Sequence, residues 1–217
     1  MASKFNVSSS PHVRDNSSTA GIMKDVCIAM IPTLAFGCFQ FGISALIVVI
    51  CTVLSCVLAE YLYEKFMNKP ITIGDFSAVV TGLILALNMP PQIPVWMPIL
   101  GGVFAIIVVK QLYGGLGQNF MNPALAARCF MLISFAGAMT NFSSTALKFD
   151  STSTPTPLGF LRANGIEKAL DQYKLLNIFL GRIPGTIGEV STIALLIGAI
   201  YLVVRKVISL RIPLIYI

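Results

Sequence analysis

Val26-Cys-Ile-Ala-Met-Ile-Pro32-Thr-Leu-Ala-Phe-Gly37-Cys-Phe-Gln-Phe-Gly42-Ile-Ser-Ala-Leu-Ile-Val-Val-Ile-Cys51-Thr-Val-Leu-Ser-Cys-Val-Leu-Ala59 contains no charged residue. A helix that crosses a bilayer needs about 20 apolar residues. This run is too long for one helix and must fold back on itself. The stretch Gly37 to Gly42 supplies the turn. It divides a first spanning segment, Gly21 to about Cys38 and interrupted by Pro32, from a second, about Gln40 to Tyr63. A second uncharged run, Phe76 to Val109, makes the same demand. The composition agrees. The chain is 56% hydrophobic and 11% charged, where a soluble domain carries about 25% charged residues. The fold class expected is an all-α polytopic membrane protein with about six spanning segments.

One of those segments is short. Asp75 to Met89 is apolar but only about 22 Å long as a helix. It breaks at Pro90-Pro91-Gln92-Ile93-Pro94. The hydrocarbon core is about 30 Å thick. Two readings are open: a steep helix that ends in an interfacial loop, or a broken helix that ends at membrane depth. The second is tolerated where protein or a cavity satisfies the freed backbone groups, and such elements often line central sites in transporters. Val95 to Val109 crosses back.

Lys110-Gln-Leu-Tyr-Gly114-Gly115-Leu-Gly117-Gln-Asn119-Phe-Met-Asn122-Pro123-Ala124 follows. Its glycines let backbone approach backbone or a ligand closely. Pro123 suits the first turn of a helix and Asn122 its N-cap. A helix start favours anions, so Asn122 is a candidate binding residue. The stretch is no nucleotide-binding P-loop, because no Lys-Ser/Thr follows it and no strand precedes it. Ala124 to Thr140 reads as the next span, with Arg128 near its start. An arginine there either serves function or snorkels to the surface.

Residues 1–20 are polar, with no apolar core of a signal peptide, and read as an N-terminal tail. Glu64 to Pro70 reads as a short polar loop, 141–187 as a long polar segment, and Glu189 to Val204 as a last span. Within the long segment, Gly165 to Leu175 reads as a short amphipathic helix and Gly181 to Gly185 as a turn. Arg211 to Ile217 begins another apolar stretch, so the chain reads as the first part of a longer protein. The net charge is +6, but the basic residues sit singly at helix ends without interleaved aromatics. They are topology signals rather than a nucleic-acid surface. With the N-terminus in the cytoplasm, Lys4, Arg14, Lys24, Lys65, Lys69, Lys110, Arg128, Arg205, Lys206 and Arg211 fall on the cytoplasmic side. The outer turns near Phe39 and Pro91 carry no basic residue. The 141–187 segment then lies outside. The five cysteines occupy apolar segments and the single histidine is His12, so a zinc site within the chain is not expected.

The long segment opens with Asp150-Ser-Thr-Ser153-Thr-Pro-Thr156-Pro-Leu158. Hydroxyl- and proline-rich runs are commonly solvated loops. This one resembles the flavinylation motif of the RnfD/NqrB family of membrane electron-transfer subunits. The family pattern is close to D-x-x-S-G-A-T-P-L, and Thr154 and Pro155 stand here in place of its Gly and Ala. Three further stretches resemble the same family in the same order: Ser10-Pro11-His12, Asp75 to Leu83, and Gly114 to Ala124.

The resemblance implies FMN joined through its phosphate to the Thr156 hydroxyl as a phosphoester, with Asp150 and Ser153 in the site and Thr154 as the alternative acceptor. It leaves room for riboflavin or a second, non-covalent flavin, for which Asn122 and Arg128 are candidates. It implies a subunit of a bacterial inner-membrane complex that passes electrons between ferredoxin and NAD and moves Na⁺ or H⁺. The partners implied are the lipid bilayer and the other membrane and peripheral subunits. The fold implied is the first half of a two-repeat, urea-transporter-like architecture. A small-solute channel or carrier is the alternative function that this fold allows. A covalent flavin separates the two, and an unmodified Thr156 would favour a structural subunit without cofactor.

Overall fold

The computed structural model describes residues 18–142, 157–166, 175–181, 183–189 and 191–216. Among them there are helices and no strands. In chain order these are α1 (Thr19–Phe41), α2 (Ile43–Phe66), a 3₁₀ turn (Ile73–Asp75), α3 (Ser77–Leu87), and α4 (Trp96–Phe104), which continues as a π-helical stretch (Ala105–Gln111). Then come α5 (Pro123–Ser134), α6 (Ala136–Met139), α7 (Pro157–Asn164), α8 (Leu175–Leu180), α9 (Thr192–Val204) and α10 (Arg211–Tyr216).

Helix α1 starts at Ser18, whose hydroxyl accepts from the Gly21 amide at 3.1 Å. It runs through Pro32 and does not stop at Gly37. The expected turn over 37–42 shrinks to Gly42, at φ 75°, with its amide donating to the Cys38 carbonyl at 2.9 Å. Cys38 to Phe41 are all compatible with a helix, and only glycine takes that positive φ without strain.

Helices α1 and α2 have 23 and 24 residues, with mean hydropathy of 1.6 and 2.5 in their most apolar windows. Each is about 35 Å long. The faces of α2 are inverted relative to a soluble helix. Ile43, Leu46, Ile47, Ile50, Leu54, Leu58 and Leu62 are exposed. Thr52, Ser55, Cys56, Glu60 and Glu64 are buried among small residues. The Thr52 and Ser55 hydroxyls donate back to the Val48 and Thr52 carbonyls at 2.6 and 2.8 Å. Apolar surface outside and polar groups inside is an arrangement that suits lipid.

Two spans are full length. The remaining apolar helices, α3, α4 with its π-helical extension, α5 and α9, are shorter. The expected span over Ala124 to Thr140 divides at Phe135 into α5 and α6. The expected polar loop begins later than Glu64, because α2 runs to Phe66 with Glu64 buried. A carboxylate near a helix end reads as solvated in sequence, and here neighbouring elements cover it. Much of the expected amphipathic helix, Gly165 to Leu175, lies outside the described residues.

Helix α3 has 11 residues, about 16 Å, half a membrane core. Its end is buried in protein: Met89 is fully buried, and Pro90 and Pro91 are buried too. The Ile187 amide donates to the Met89 carbonyl at 3.1 Å and the Gly188 amide to the Leu87 carbonyl at 2.8 Å. These bonds satisfy carbonyls that the broken helix leaves open. The end of the long polar segment is thus packed into the bundle: Gly185, Thr186, Ile187 and Gly188 are buried, the last two bonded to the end of α3.

Helix α3 packs along α2 through Gly82. A Cβ placed there would lie 2.8 Å from the Val53 Cα, whereas one at Gly74 would meet nothing within 4 Å. Gly82→Val is expected to destabilise the protein by about 1–3 kcal/mol, read as a lower melting temperature in detergent. Gly74→Ala is expected to leave it unchanged. Equal melting of the two variants would contradict the close α2–α3 packing.

Candidate functional site

The polar interior centres on Lys110, at the end of the π-helical stretch of α4. The wider π turn brings two consecutive polar side chains inside, Lys110 and Gln111, at 2% and 3% exposure. The Lys110 ammonium donates to Glu60 Oε1 and to Ser77 Oγ, both at 2.5 Å. Ser77 in turn donates from its amide and hydroxyl to Asp75 Oδ1. The Gln111 amide reaches Glu60 Oε1 at 2.8 Å and Glu64 Oε1 at 3.4 Å. Thr72 donates to Glu64 from its amide, at 3.0 Å, and from its hydroxyl. One buried ion pair thus joins α2, α4 and the start of α3. Glu60 Oε2 is buried without a hydrogen-bond partner.

In sequence Lys110 reads as a topology signal at the cytoplasmic surface, and the structure buries it. The signal that could have found it is Glu60 and Glu64, four residues apart and so on one face of a spanning helix. Two carboxylates there require a cation from a neighbouring helix, and Lys110 closes the second uncharged run.

Beside Lys110 lies a cavity of about 130 Å³, lined by Met23, Ser77, Thr81, Leu116, Asn119 and Asn122 among others. Gly114, Gly115 and Gly117 take φ of +114°, +96° and +86°, values that favour glycine and let the loop turn tightly between α4 and α5. Asn122 Oδ1 accepts from the Ala124 and Leu125 amides at 3.0 and 3.4 Å, with Pro123 in the first turn of α5.

Arg128 is not part of this cavity. It donates to Asn88 Oδ1 at 2.6 Å and lies 3.6 Å from Glu189. Asn88 also donates to the Ile84 carbonyl at 2.8 Å. The structure therefore separates the two residues that sequence grouped together: Asn122 lines the cavity beside Lys110, and Arg128 pairs at the broken end of α3. Next to that end, a largely apolar cleft of about 400 Å³ opens between α1, α3 and α9, with Thr33, Asn88 and Glu189 on its wall.

Asp150, Ser153 and Thr156 lie outside the described residues. The described part of the motif is its end, where Pro157 begins α7.

The pattern described as the NQR2, RnfD, RnfE family matches residues 6–217. The chain belongs to that family. It is 49% identical over 213 residues to the D subunit of the Na(+)-translocating ferredoxin:NAD(+) oxidoreductase complex of Acetobacterium woodii, covering 97% of this chain and 65% of that protein. It is 45% identical over 221 residues to the D subunit of the proton-translocating ferredoxin:NAD(+) oxidoreductase complex of Clostridium ljungdahlii, covering 98% and 66%. Identity to the D subunit of an ion-translocating oxidoreductase complex of Escherichia fergusonii is 35% over 243 residues, covering 96% and 69%. The chain spans about two thirds of the length of these relatives.

Lys110→Met leaves Glu60 as a buried charge without its cation and is expected to destabilise the protein by about 3–5 kcal/mol. Glu60→Leu combined with Lys110→Met is expected to recover much of that loss. Melting temperatures of the two single variants and the double variant form the cycle that checks it. Additive losses would mean that the pair contributes nothing jointly.

Proposed function

We propose that this chain is the membrane part of an RnfD-type protein that carries FMN on Thr156 and passes electrons across the membrane within a larger ion-translocating complex. The Asp150-x-x-Ser153-x-x-Thr156-Pro-Leu frame, in a chain that belongs to this family, carries the reading. The start of α7 at Pro157 supports it. A helix start directly after the threonine brings the positive end of a helix dipole to the FMN phosphate. Asp150 and Ser153 are the other residues of the motif proposed to line that site. The architecture proposed is the first half of a two-repeat, urea-transporter-like fold with about six crossings, as the resemblance implies.

Orientation follows from charge. Arg205 pairs with Asp25 at 3.2 Å, which brings the end of α9 to the start of α1. Lys24 lies 5.0 Å from the ring centre of Phe76, beside Ser77 and Lys110. Lys65 and Lys69 stand near Tyr61 and Tyr63 at the end of α2. Basic residues gather at this end, and the positive-inside rule makes it cytoplasmic. The opposite end carries the Gly42 junction and Trp96, which packs edge-on against Phe135 at 5.2 Å. Helix α5 begins at the basic end and leads away from it, so Thr156 is assigned to the exterior.

The Lys110 cavity is the proposed seat of a second, non-covalent flavin at the cytoplasmic end. At about 130 Å³ it takes the polar edge of a flavin ring rather than the whole ring system. The side-chain amides of Asn122 and of Asn119, which also donates to the Met121 carbonyl at 3.0 Å, are donors suited to ring carbonyls. A bound flavin supplies the redox chemistry, and the protein positions it and sets its electrostatic surroundings. Lys110 would place a positive charge near the ring, with buried Ser77 and Thr81 as uncharged polar neighbours. Arg128, by its pairing with Asn88 and Glu189, is assigned to holding the end of α3.

Thr156→Ala is expected to abolish in-gel flavin fluorescence and the FMN adduct on the 149–162 peptide, while Thr154→Ala keeps both. The reverse pattern would move the acceptor to Thr154. With no adduct in the native protein, a channel or a cofactor-free subunit would replace this reading. Asn119→Ala is expected to weaken riboflavin binding about tenfold, roughly the 1–1.5 kcal/mol of one hydrogen bond, and to leave Thr156 modified. Equilibrium titration of riboflavin fluorescence checks the first effect and peptide mass the second.

A further inference from the structure

On the exposed side of α2, a groove of about 450 Å³ runs between α2 and α4. Leu58, Leu62 and Phe66 line it on one side, and Ile99, Val103 and Ile107 on the other. Each set is spaced by four residues and so forms one row along its helix. Near the first of its α2 residues, Ser55, the two helices touch: a Cβ at Gly102 would collide with the Ser55 hydroxyl. From Ser55 to Phe66 the groove follows about 16 Å of helix. That is roughly half of a 30 Å hydrocarbon core, the depth of one leaflet. The far end of the groove carries charge. Tyr63 borders the groove, and the Lys69 ammonium lies 5.0 Å from the centre of its ring. The Lys65 ammonium lies 5.7 Å from the centre of the Tyr61 ring. The chain is held in place there, with Asn68 at φ 50° and the Lys69 amide donating to the Glu64 carbonyl at 2.9 Å. The carboxylates of this end turn inward, since Glu60 and Glu64 are buried. Among the described residues, neither Lys65 nor Lys69 makes an ion pair.

We propose that this groove holds an anionic phospholipid of the leaflet at the basic end, with one acyl chain along the α2 and α4 rows and its phosphate at Lys65 and Lys69. Basic residues just outside the core attract anionic headgroups, and a tyrosine at the junction suits the interface between chain and headgroup. Helix-end lysines are common topology signals, but topology alone does not call for an apolar groove of one-leaflet depth that leads to them. A soluble anion has no use for that wall. A protein helix seated in the groove instead would need carboxylates at the same depth to meet the two ammonium groups. The groove is separate from the Lys110 cavity, and its occupant is independent of any flavin. It also borders the two helices that the Lys110–Glu60 pair joins, so the lipid would fill the gap between them from the membrane side.

Photo-cross-linking reads the occupant directly. The full-length protein, with the subunits that copurify with it, is placed in nanodiscs that contain a small fraction of phosphatidylglycerol or of phosphatidylcholine bearing a diazirine on one acyl chain. After irradiation the labelled peptides are quantified by mass. The phosphatidylglycerol probe is expected to label the groove peptides of α2 and α4 several-fold more than the phosphatidylcholine probe, with no such preference at the exposed Ile28 and Ile31 of α1. Lys65→Gln combined with Lys69→Gln, both at exposed positions, is expected to bring groove labelling by phosphatidylglycerol down to the phosphatidylcholine level and to leave α1 as it was. Val103→Trp, which fills the groove, is expected to lower groove labelling by both probes with the lysines intact. Equal labelling of the groove by the two probes in the native protein would reduce it to ordinary bilayer contact and overturn the proposal. A preference that survives loss of both lysines would overturn the headgroup assignment. Labelling of other outer faces but not of the groove would show that a protein helix covers it, and the lipid site would be discarded.

Discussion

The buried Lys110–Glu60 pair is the constraint on which the rest of the arrangement depends. A charge at that depth has to be met by another, so α2 and α4 are held in one register, with Ser77 at the start of α3 drawn into the same point. Two unfavourable backbone features lie next to it. One is the π-helical stretch Ala105–Gln111. The other is Phe76, a non-glycine residue at φ 63°, which costs about 1–2 kcal/mol. The Ser77 amide and hydroxyl donate to Asp75 across Phe76, and the Lys24 ammonium stands against its ring. Strain of this kind persists where surrounding contacts over-determine it, and it gathers at functional sites. The π turn has a direct consequence, since it brings Lys110 and Gln111 to the carboxylates together.

Lipid explains why so much of the remaining stability must come from close contact. Apolar side chains on the outer face of α2 gain nothing from turning inward when the solvent is itself apolar. Helices meet through small residues instead, as Gly82 does against Val53. Such contacts are short and specific but carry little sequence signal, because a glycine in an apolar run looks like a turn. Gly37 illustrates this. It reads as part of a turn in sequence, yet it sits inside α1 against the Ile187 backbone. Gly42, five residues on, is the true break.

The all-helical class and the two long helices were legible, because uncharged runs of that length have few alternatives. The early break of α3 was legible from Pro90 and Pro91, and the Asn122 cap from Asn-Pro at the start of α5. The ion pair was not. Periodicity reports which side of one helix is apolar, and says nothing of which charges from separate helices meet. Glu60 and Glu64 follow the end of the first uncharged run and Lys110 that of the second. Only packing shows that these two run ends converge away from solvent. Arg128 failed in a related way. Its closeness in sequence to Asn122 grouped it with the loop, whereas the helical rise carries it to Asn88 and Glu189.

The broken end of α3 connects these two levels. A helix of 11 residues leaves carbonyls at membrane depth, and the Ile187 and Gly188 amides supply donors for Met89 and Leu87. Those two residues close the long segment that carries the Thr156 motif. The chain that leaves α6 on one side thus returns to the middle of the bundle before α9 starts. Its return point is pinned by backbone hydrogen bonds, with Arg128 bridging Asn88 and Glu189 beside it. The backbone bonds that make a half-length helix tolerable in lipid are thus the same ones that pin Ile187 and Gly188, just before α9, to the end of α3.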